Sequence, residues 1–451
     1  MSFQRFASDS PWKTISFYPA PNNHILHNLF VYYLTHWFSS DIIFIRLPAF
    51  LAGILAIPFV FLLGRRLCDD LTALIAAGLL AVSSYHIQYS VNGRGYTMIV
   101  LVTIISFILA DRIRKRRSFT DWFWFSVVCA AGFFTLPTML YPYLGIMLWL
   151  FFSYLGKDTS SQYGGLFPLY LFLSGFSTTA LTLLLYSPVI LFSGWHSLSS
   201  NAFVQPLSWP QLAQRLPGFL SQVWGTWVRD MPVSISILIA VGVVLSLIRW
   251  MTKQTKNKIW LALPIALGCG LVLMVQRAIP YTRVWLFILP IFLLLAAAGW
   301  AFIFRRTLRK QTHWALVSIL LFFFISGLAF PVYDSPAIYQ ERETGTLPQA
   351  DKAADYLIGQ IQPGDVVLSN RPGYLILSYY FQQADQDIPS LQAWEEDMQA
   401  DRAFVVVNHF YDETINGVLN TTDLLAVPSL EEPRLIKEFE GVSIYRVEIN
   451  P

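Results

Sequence analysis

The chain has little charge. Of its 451 residues only 13% are Asp, Glu, Lys or Arg, while 55% are hydrophobic. A soluble protein needs roughly twice that charged fraction to dress its surface, so a soluble multidomain protein is excluded, as are disordered, collagenous and coiled-coil chains. Cysteine is nearly absent: Cys68, Cys129 and Cys269 lie in or beside apolar runs with no paired spacing. They make neither a disulfide framework nor a zinc site, and are expected to pack as small apolar residues. No metal and no cofactor is expected, and no nucleic-acid partner. Negative charge is scarcest over the first 330 residues, which hold 8 Asp+Glu against 24 Lys+Arg, whereas residues 331–451 hold 20 against 7. The formal net charge of +3 therefore hides a basic body joined to an acidic tail.

What the chain has in plenty is apolar and aromatic. Mean hydropathy is +0.49, and 15 Trp, 21 Tyr and 35 Phe supply rings of the kind that seat proteins at lipid headgroups. Apolar runs long enough, or nearly so, to cross a core of about 30 Å occur at 48–64, 71–87, 96–110, 121–136, 139–155, 166–193, 232–250, 259–275, 284–304 and 314–330. Helices are the element expected, because isolated strands would leave backbone groups unpaired in lipid. The fold class read from this is mainly α: a polytopic transmembrane helical bundle of about ten spans, followed by a small external α/β domain. The domain boundaries read as 1–47 for an N-terminal segment with an interfacial helix, 48–330 for the transmembrane body and 331–451 for a soluble domain.

Orientation follows from the basic residues. One set of turns, at 65–66, 112–117, 157, 249–258 and 305–310, carries 16 Lys+Arg, and the alternate set carries 8 over a greater length. The first set is expected on the cytoplasmic side. The N-terminal segment and the acidic tail then lie outside a cytoplasmic membrane. Residues 24–38 and 206–228 are apolar, aromatic and placed on the outer side, as expected of helices lying along the interface. In the tail, a helix at 350–361, strands at 365–369 and 403–408, and a hairpin of 435–439 and 442–449 around Gly441 are expected.

This topology puts three polar segments on the outer face. Gln88 to Tyr96 closes a short turn in which Arg94 stands between Gly93 and Gly95; Arg277 to Arg283 closes another, with Tyr281 between its two arginines. Arg94, Arg277 and Arg283 suit a lipid phosphate, which a guanidinium fork matches, or they snorkel to native headgroups. Ahead of the 24–38 helix, Pro19 to His27 places His24 and His27 on one face at i, i+3. Hydrogen bonding to a substrate, or ordinary interfacial packing, is open to both; a metal would need further ligands. Carboxylates set the tightest limit: Asp9, Asp41 and Asp230 are the outer ones before residue 331, so a general base on the body comes from these or from a neutral group.

Several of these motifs resemble the integral-membrane C-type glycosyltransferases that use polyprenyl-phosphate sugars, the superfamily of protein O-mannosyltransferases and lipid A aminoarabinose transferases. The resemblance rests on Asn22-Asn23-His24 opening a helix, Arg46-Leu47-Pro48 beginning a span, Leu63-Gly64-Arg65-Arg66-Leu67 ending it, Tyr89-Ser90 followed by Arg94-Gly95-Tyr96, and Arg283 before Trp285 to Pro290. It implies a sugar transferred from a polyprenyl-phosphate donor to a lipid, glycan or protein acceptor at the outer membrane face, with inversion at the sugar carbon. It also implies a substrate-binding set of Arg94, Tyr96, Arg277, Tyr281, Arg283, His24 and His27. Relatives of this kind carry, ahead of the region where this chain starts, one more span and a loop whose acidic pair supplies the catalytic base, so the resemblance implies either such a segment upstream of Met1 or a form that is not catalytically competent. Within the chain, Asp9 is the candidate catalytic carboxylate, although it does not stand in the family motif. The rival readings are a transporter or flippase for a lipid-linked sugar, and a membrane-anchored binding protein.

Overall fold

A computed structural model describes residues 3–7, 9–19, 23–199, 205–251, 261–307, 312–333, 335, 338, 345–388, 400–421 and 431–449. The chain divides into two compact units, one of Asp9–Ile338 and one of Met1–Ser8 with Tyr339–Pro451.

The larger unit is helical. After the short α1 (Pro11–Ser16) and α2 (Ile25–Trp37) come α3 (Ile42–Leu67), α4 (Asp70–Ala81), α5 (Ser84–Ser90), α6 (Tyr96–Lys115), α7 (Phe119–Thr135), α8 (Leu140–Leu155) and α9 (Phe167–Phe192). There follow α10 (Trp195–Ser199), α11 (Trp209–Trp227), α12 (Val233–Met251), α13 (Ala262–Gln276), α14 (Leu289–Thr307) and α15 (Thr312–Tyr333). Among the described residues five helical segments are long and apolar enough to cross a membrane, the pair α4 and α5 makes a sixth broken by a 63° bend, and four shorter apolar helices lie at Phe119–Thr135, Val233–Arg249, Ala262–Gln276 and Phe322–Tyr333. Each of the ten runs read from the sequence falls on one of these. The chain is a multi-pass membrane protein.

The bend corrects the expectation of one straight span at 71–87. Ser83 accepts from the His86 amide at 3.4 Å and so starts a new helix. That helix, Ser-Tyr-His-Ile-Gln-Tyr-Ser, is polar at every position but Ile87, yet six of its seven residues are buried. Helix α3 accommodates it with a stripe of small residues: Gly53 leaves room only for Ser90, and a Cβ on Gly64 would lie 2.8 Å from the Ala73 Cα of α4. Helices α4, α12, α14 and α15 also border a cavity of about 430 Å³ lined by Ile75, Leu79, Leu238, Ala297, Trp300 and Phe324 among others. With no polar group to offer, it is not where chemistry sits.

Carboxylates in this unit are tied to basic partners where the arginine-rich turns lie. Asp111 meets Lys115 at 2.8 Å and Arg114 at 3.4 Å, Asp121 meets Arg112 at 2.6 Å and Arg116 at 3.0 Å, and Asp158 pairs with Arg114. Asp70 pairs with Arg65 at 2.6 Å, and Asp69 caps α4 by accepting from the Thr72 amide at 2.8 Å. Residues 252–260 and 308–310, which carry part of the basic turns, lie outside the described residues. Cys68, Cys129 and Cys269 form no disulfide, and Cys129 and Cys269 are buried among apolar neighbours.

The smaller unit is a four-stranded sheet with helices on both faces. Strands β1 (Asp365–Leu368), β2 (Arg402–Asn408), β3 (Arg434–Phe439) and β4 (Val442–Glu448) stand in the order β1-β2-β4-β3. β1 runs parallel to β2, and the pairs β2–β4 and β3–β4 are antiparallel. The hairpin turns at Gly441, whose φ of +80° favours glycine. Alternate residues of β2 serve opposite cores: Phe404 and Val406 meet α16 (Ala350–Ile358) and α17 (Gly373–Gln383), while Ala403, Val405 and Val407 meet α18 (Ile415–Thr421). Helices α17 and α18 add to the elements expected of the tail; the first supplies the crossover that a parallel pair requires.

Candidate functional site

The site begins where α5 ends. Residues 91–95 turn the chain back into α6, and the Arg94 amide closes the turn on the Asn92 carbonyl at 2.7 Å. Gly95 is the N-cap of α6, and its bare backbone lets α2 approach. Its amide donates to His24 Nδ1 at 2.9 Å. A Cβ there would sit 2.6 Å from the Thr135 methyl, 3.2 Å from His24 Nδ1 and 3.3 Å from the His27 Cβ. Because Nδ1 accepts, the imidazole proton resides on Nε2.

Asparagines fix the entry to α2. Asn23 donates to the Thr14 and Phe17 carbonyls at 3.0 and 3.1 Å and accepts from Asn28 at 2.8 Å, while Asn28 Oδ1 lies 3.3 Å from His27 Nδ1. His24 and His27 thus share the face that meets the 93–95 turn, as the i, i+3 spacing required. Pro21 and Asn22 of the same motif lie outside the described residues.

Aromatic rings carry the site onward. His24 meets Tyr96 edge-on with centroids 4.9 Å apart, Tyr96 meets Tyr89 at 5.2 Å, and Tyr89 meets Tyr85 at 5.2 Å. The Tyr85 hydroxyl donates to Thr282 Oγ1 at 3.2 Å. Next to Thr282, Arg283 donates through Nε to the Tyr96 hydroxyl at 2.9 Å, and its guanidinium lies 4.0 Å from the centre of the Tyr281 ring. Tyr96 accepts this bond and keeps its own proton to donate.

Electrostatics agree with the geometry. Burial holds His24 well below the ordinary histidine range, and the positive charges of Arg94 and Arg283 and the neighbouring His27 lower it further. Burial brings His27 down to about 4 against a small opposing effect of its bond to Asn28. Both imidazoles are neutral at physiological pH. Two guanidinium charges therefore act on a neutral imidazole, and that of Arg283 bonds the phenol beside it, a donor-rich arrangement that suits an anion with several oxygens.

Arg94, Tyr96, Tyr281, Arg283, His24 and His27 are thus brought together by three separate stretches of chain. Arg277 is not part of that chain of contacts. It is exposed at the end of α13 in a left-handed conformation (φ +49°), and its carbonyl accepts from the Leu207 amide at 2.7 Å. Asp9 pairs with Lys13 at the exposed start of α1. Sequence reasoning missed Tyr85, Thr282 and the backbone amide of Gly95; the glycines flanking Arg94 were the available signal for a close approach. Among the described residues no cluster of three or more His, Cys, Asp or Glu could hold a metal.

Residues 22–191 match the family model of dolichyl-phosphate-mannose-protein mannosyltransferase. The match runs through α9 and so takes in His24, His27, Arg94 and Tyr96 but stops before Tyr281 and Arg283. Among solved structures, the chain is similar to ArnT from Cupriavidus metallidurans in its apo state, with a TM-score of 0.62 over 99% of this chain and 91% of that one at 12% identity. It is also similar to the archaeal oligosaccharyltransferase AglB from Archaeoglobus fulgidus, solved with an inhibitory peptide and a dolichol-phosphate, with a TM-score of 0.53, 98% and 69% coverage and 10% identity. At such identities the likeness is one of fold. No curated protein sequence matches the chain.

Proposed function

We propose that the protein is a membrane glycosyltransferase that moves a sugar from a polyprenyl-phosphate donor to an acceptor at the outer face of the cytoplasmic membrane. The observation that carries this reading is the convergence of Arg94 and Arg283 on His24 through Gly95 and Tyr96. The family match over residues 22–191 and the ArnT-like fold support it.

The chemistry fits the residues. When an acceptor oxygen attacks the sugar carbon that bears the phosphate, the bond to the phosphate oxygen breaks and a stable anion leaves. Such a leaving group needs its charge held rather than a proton delivered. Arg94, Arg283 and the hydroxyl of Tyr96 provide that, with His24 Nε2 as a further neutral donor. One displacement at one carbon inverts its configuration. The donor's prenyl chain stays in the bilayer, while the acidic residues 331–451 stand in the aqueous phase outside it. A hexose or pentose is the transferred group, and the acceptor is a lipid, glycan or protein.

The test uses the full chain in liposomes. Wild type and Arg283→Ala are titrated with polyprenyl phosphate, then given a panel of labelled polyprenyl-phosphate hexoses and pentoses with an envelope fraction as acceptor source. At least tenfold weaker binding by the variant, and label transferred to an acceptor by the wild type, support the reading. Equal affinities, or movement of the labelled lipid across the bilayer with no new glycosidic bond, overturn it.

A further inference from the structure

In the smaller unit the chain parts at the ends of its two parallel strands. From β1 it turns into α17, whose Leu377 and Phe381 pack on one face of the sheet, and from β2 it turns into α18, whose Val418 and Leu419 pack on the other. Loops that leave adjacent parallel strands for opposite faces open a crevice at the carboxyl ends, the place where α/β sheets bind ligands. Residues 369–372 make one wall of it and residues 408–414 the other.

A carboxyl ties the two walls together. Glu413 accepts from the Asn408 amide at 3.0 Å and, across the crevice, from the Asn370 side chain. It is half-buried, and the ion pairs described in this unit, Arg402–Asp365 and Arg446–Glu448, leave it out. Burial raises its carboxyl above the usual range, opposed by those two bonds and by the charge of His409. An uncharged amide would tie the loops without that cost, and a carboxyl perturbed in this way within a cleft is the mark of a functional site. Two of its roughly four acceptor positions are taken, so it has more to give.

Its neighbours supply the complementary groups. His409 is exposed, with Nε2 at 2.7 Å from Ser443 Oγ. Ser443 is 2% exposed, so its hydroxyl donates to this ring nitrogen and the proton of the neutral ring stands on Nδ1. Asn370 is half-buried and offers both N–H and C=O. An acceptor, a donor and a group that is both are thus held by two loops. Adjacent hydroxyls, each donor and acceptor, match that set. The charge of Glu413 opposes an anion, and an apolar ligand would bury these groups without partners.

We propose that this crevice binds a neutral saccharide. Glu413 accepts from one sugar hydroxyl, His409 Nδ1 donates to another, and Asn370 exchanges bonds with the hydroxyl between them. The site lies wholly in the smaller unit and stands whether or not the helical unit transfers a sugar.

The test is saturation-transfer NMR on the full chain in lipid nanodiscs. The probes are glucose, mannose, galactose, N-acetylglucosamine, maltose and cellobiose at millimolar concentration, with inorganic phosphate as competitor. Glu413→Gln keeps an acceptor for the Asn408 amide, His409→Ala alters an exposed side chain, and Asp355→Asn, exposed on α16, is the control. At least one sugar is expected to bind wild type and Asp355→Asn alike, Glu413→Gln at least about tenfold more weakly and His409→Ala at least threefold more weakly, with no displacement by phosphate. Thermal unfolding checks the fold, and if Glu413→Gln unfolds, His409→Ala decides. A wild type that binds none of the sugars, a folded Glu413→Gln or a His409→Ala that binds them as wild type does, or displacement by phosphate overturns the proposal. Loss of sugar transfer or of polyprenyl phosphate binding by the helical unit changes none of these readings.

Discussion

Arg283 and Tyr96 are 187 residues apart in the chain, and one 2.9 Å hydrogen bond from Nε to the phenol joins them. It fixes a cation that would otherwise sweep a wide arc at the membrane surface. Tyr96→Phe removes the acceptor and keeps the ring contacts with His24 and Tyr89. A bond to a charged group contributes about 1.5–3 kcal/mol, of which partial exposure of Arg283 leaves the lower part. Polyprenyl phosphate affinity is expected to fall about three- to tenfold, with the thermal midpoint nearly unchanged. Titration of the two proteins checks this, and unchanged affinity would show that Arg283 needs no anchor.

Gly95 tests the approach of α2 to α6. Gly95→Ala places a methyl 2.6 Å from Thr135 Cγ2 and 3.2 Å from His24 Nδ1, so either His24 or α7 must move. Overpacking of this kind costs about 1–3 kcal/mol. The variant is expected to unfold at lower temperature and, because His24 is displaced, to bind polyprenyl phosphate more weakly. Gly93→Ala, with its nearest contact at 3.4 Å, serves as the control and should behave like wild type in unfolding.

Histidine burial sets a pH dependence. His27 has its pKa lowered from 6.5 to about 4, chiefly by burial, so between those values the unfolded chain binds more protons than the folded one. Stability from this group is complete above pH 6.5, is lost progressively as pH falls towards 4, and changes no further below that. His24 is shifted in the same direction. Unfolding temperatures are therefore expected to drop between pH 7 and pH 5, and His27→Gln should flatten the drop. An equal slope in the variant would assign the effect to other groups.

Much of the helical body is legible in the amino-acid sequence. Apolar runs mark the helices because a bilayer demands long uninterrupted hydrophobic stretches, and Gly441 marks the hairpin because few residues tolerate its positive φ. The break at Ser83 is hidden. Residues 71–87 satisfy an apolar window, and only their partners in α3 and at Thr282 and Arg229 explain why a polar half-helix is buried. His24 and Arg94 are recognisable from motif and charge, but their meeting through the Gly95 amide depends on a contact 71 residues apart in sequence.

The last prediction concerns the sheet. Arg402 grips Asp365 with two bonds, Nε to Oδ1 at 2.8 Å and Nη2 to Oδ2 at 2.6 Å, across neighbouring positions of the parallel pair β1–β2. Asp365 also accepts from the Gln362 amide at 2.7 Å, and its side chain is 1% exposed while that of Arg402 is 21% exposed. Removing the arginine alone leaves a buried carboxylate with one amide for company, and breaking a buried pair costs about 3–5 kcal/mol. Because Arg402 is partly open to water, about 2–3 kcal/mol is the expected loss for Arg402→Met. The double variant Asp365→Asn/Arg402→Met removes the charge and keeps an acceptor for the Gln362 amide, so it should recover most of that loss. Limited proteolysis of the full chain reads the difference, with faster cleavage within residues 345–449 in the single variant than in the double. If both are cleaved alike, the pair contributes strand register rather than relief of a buried charge.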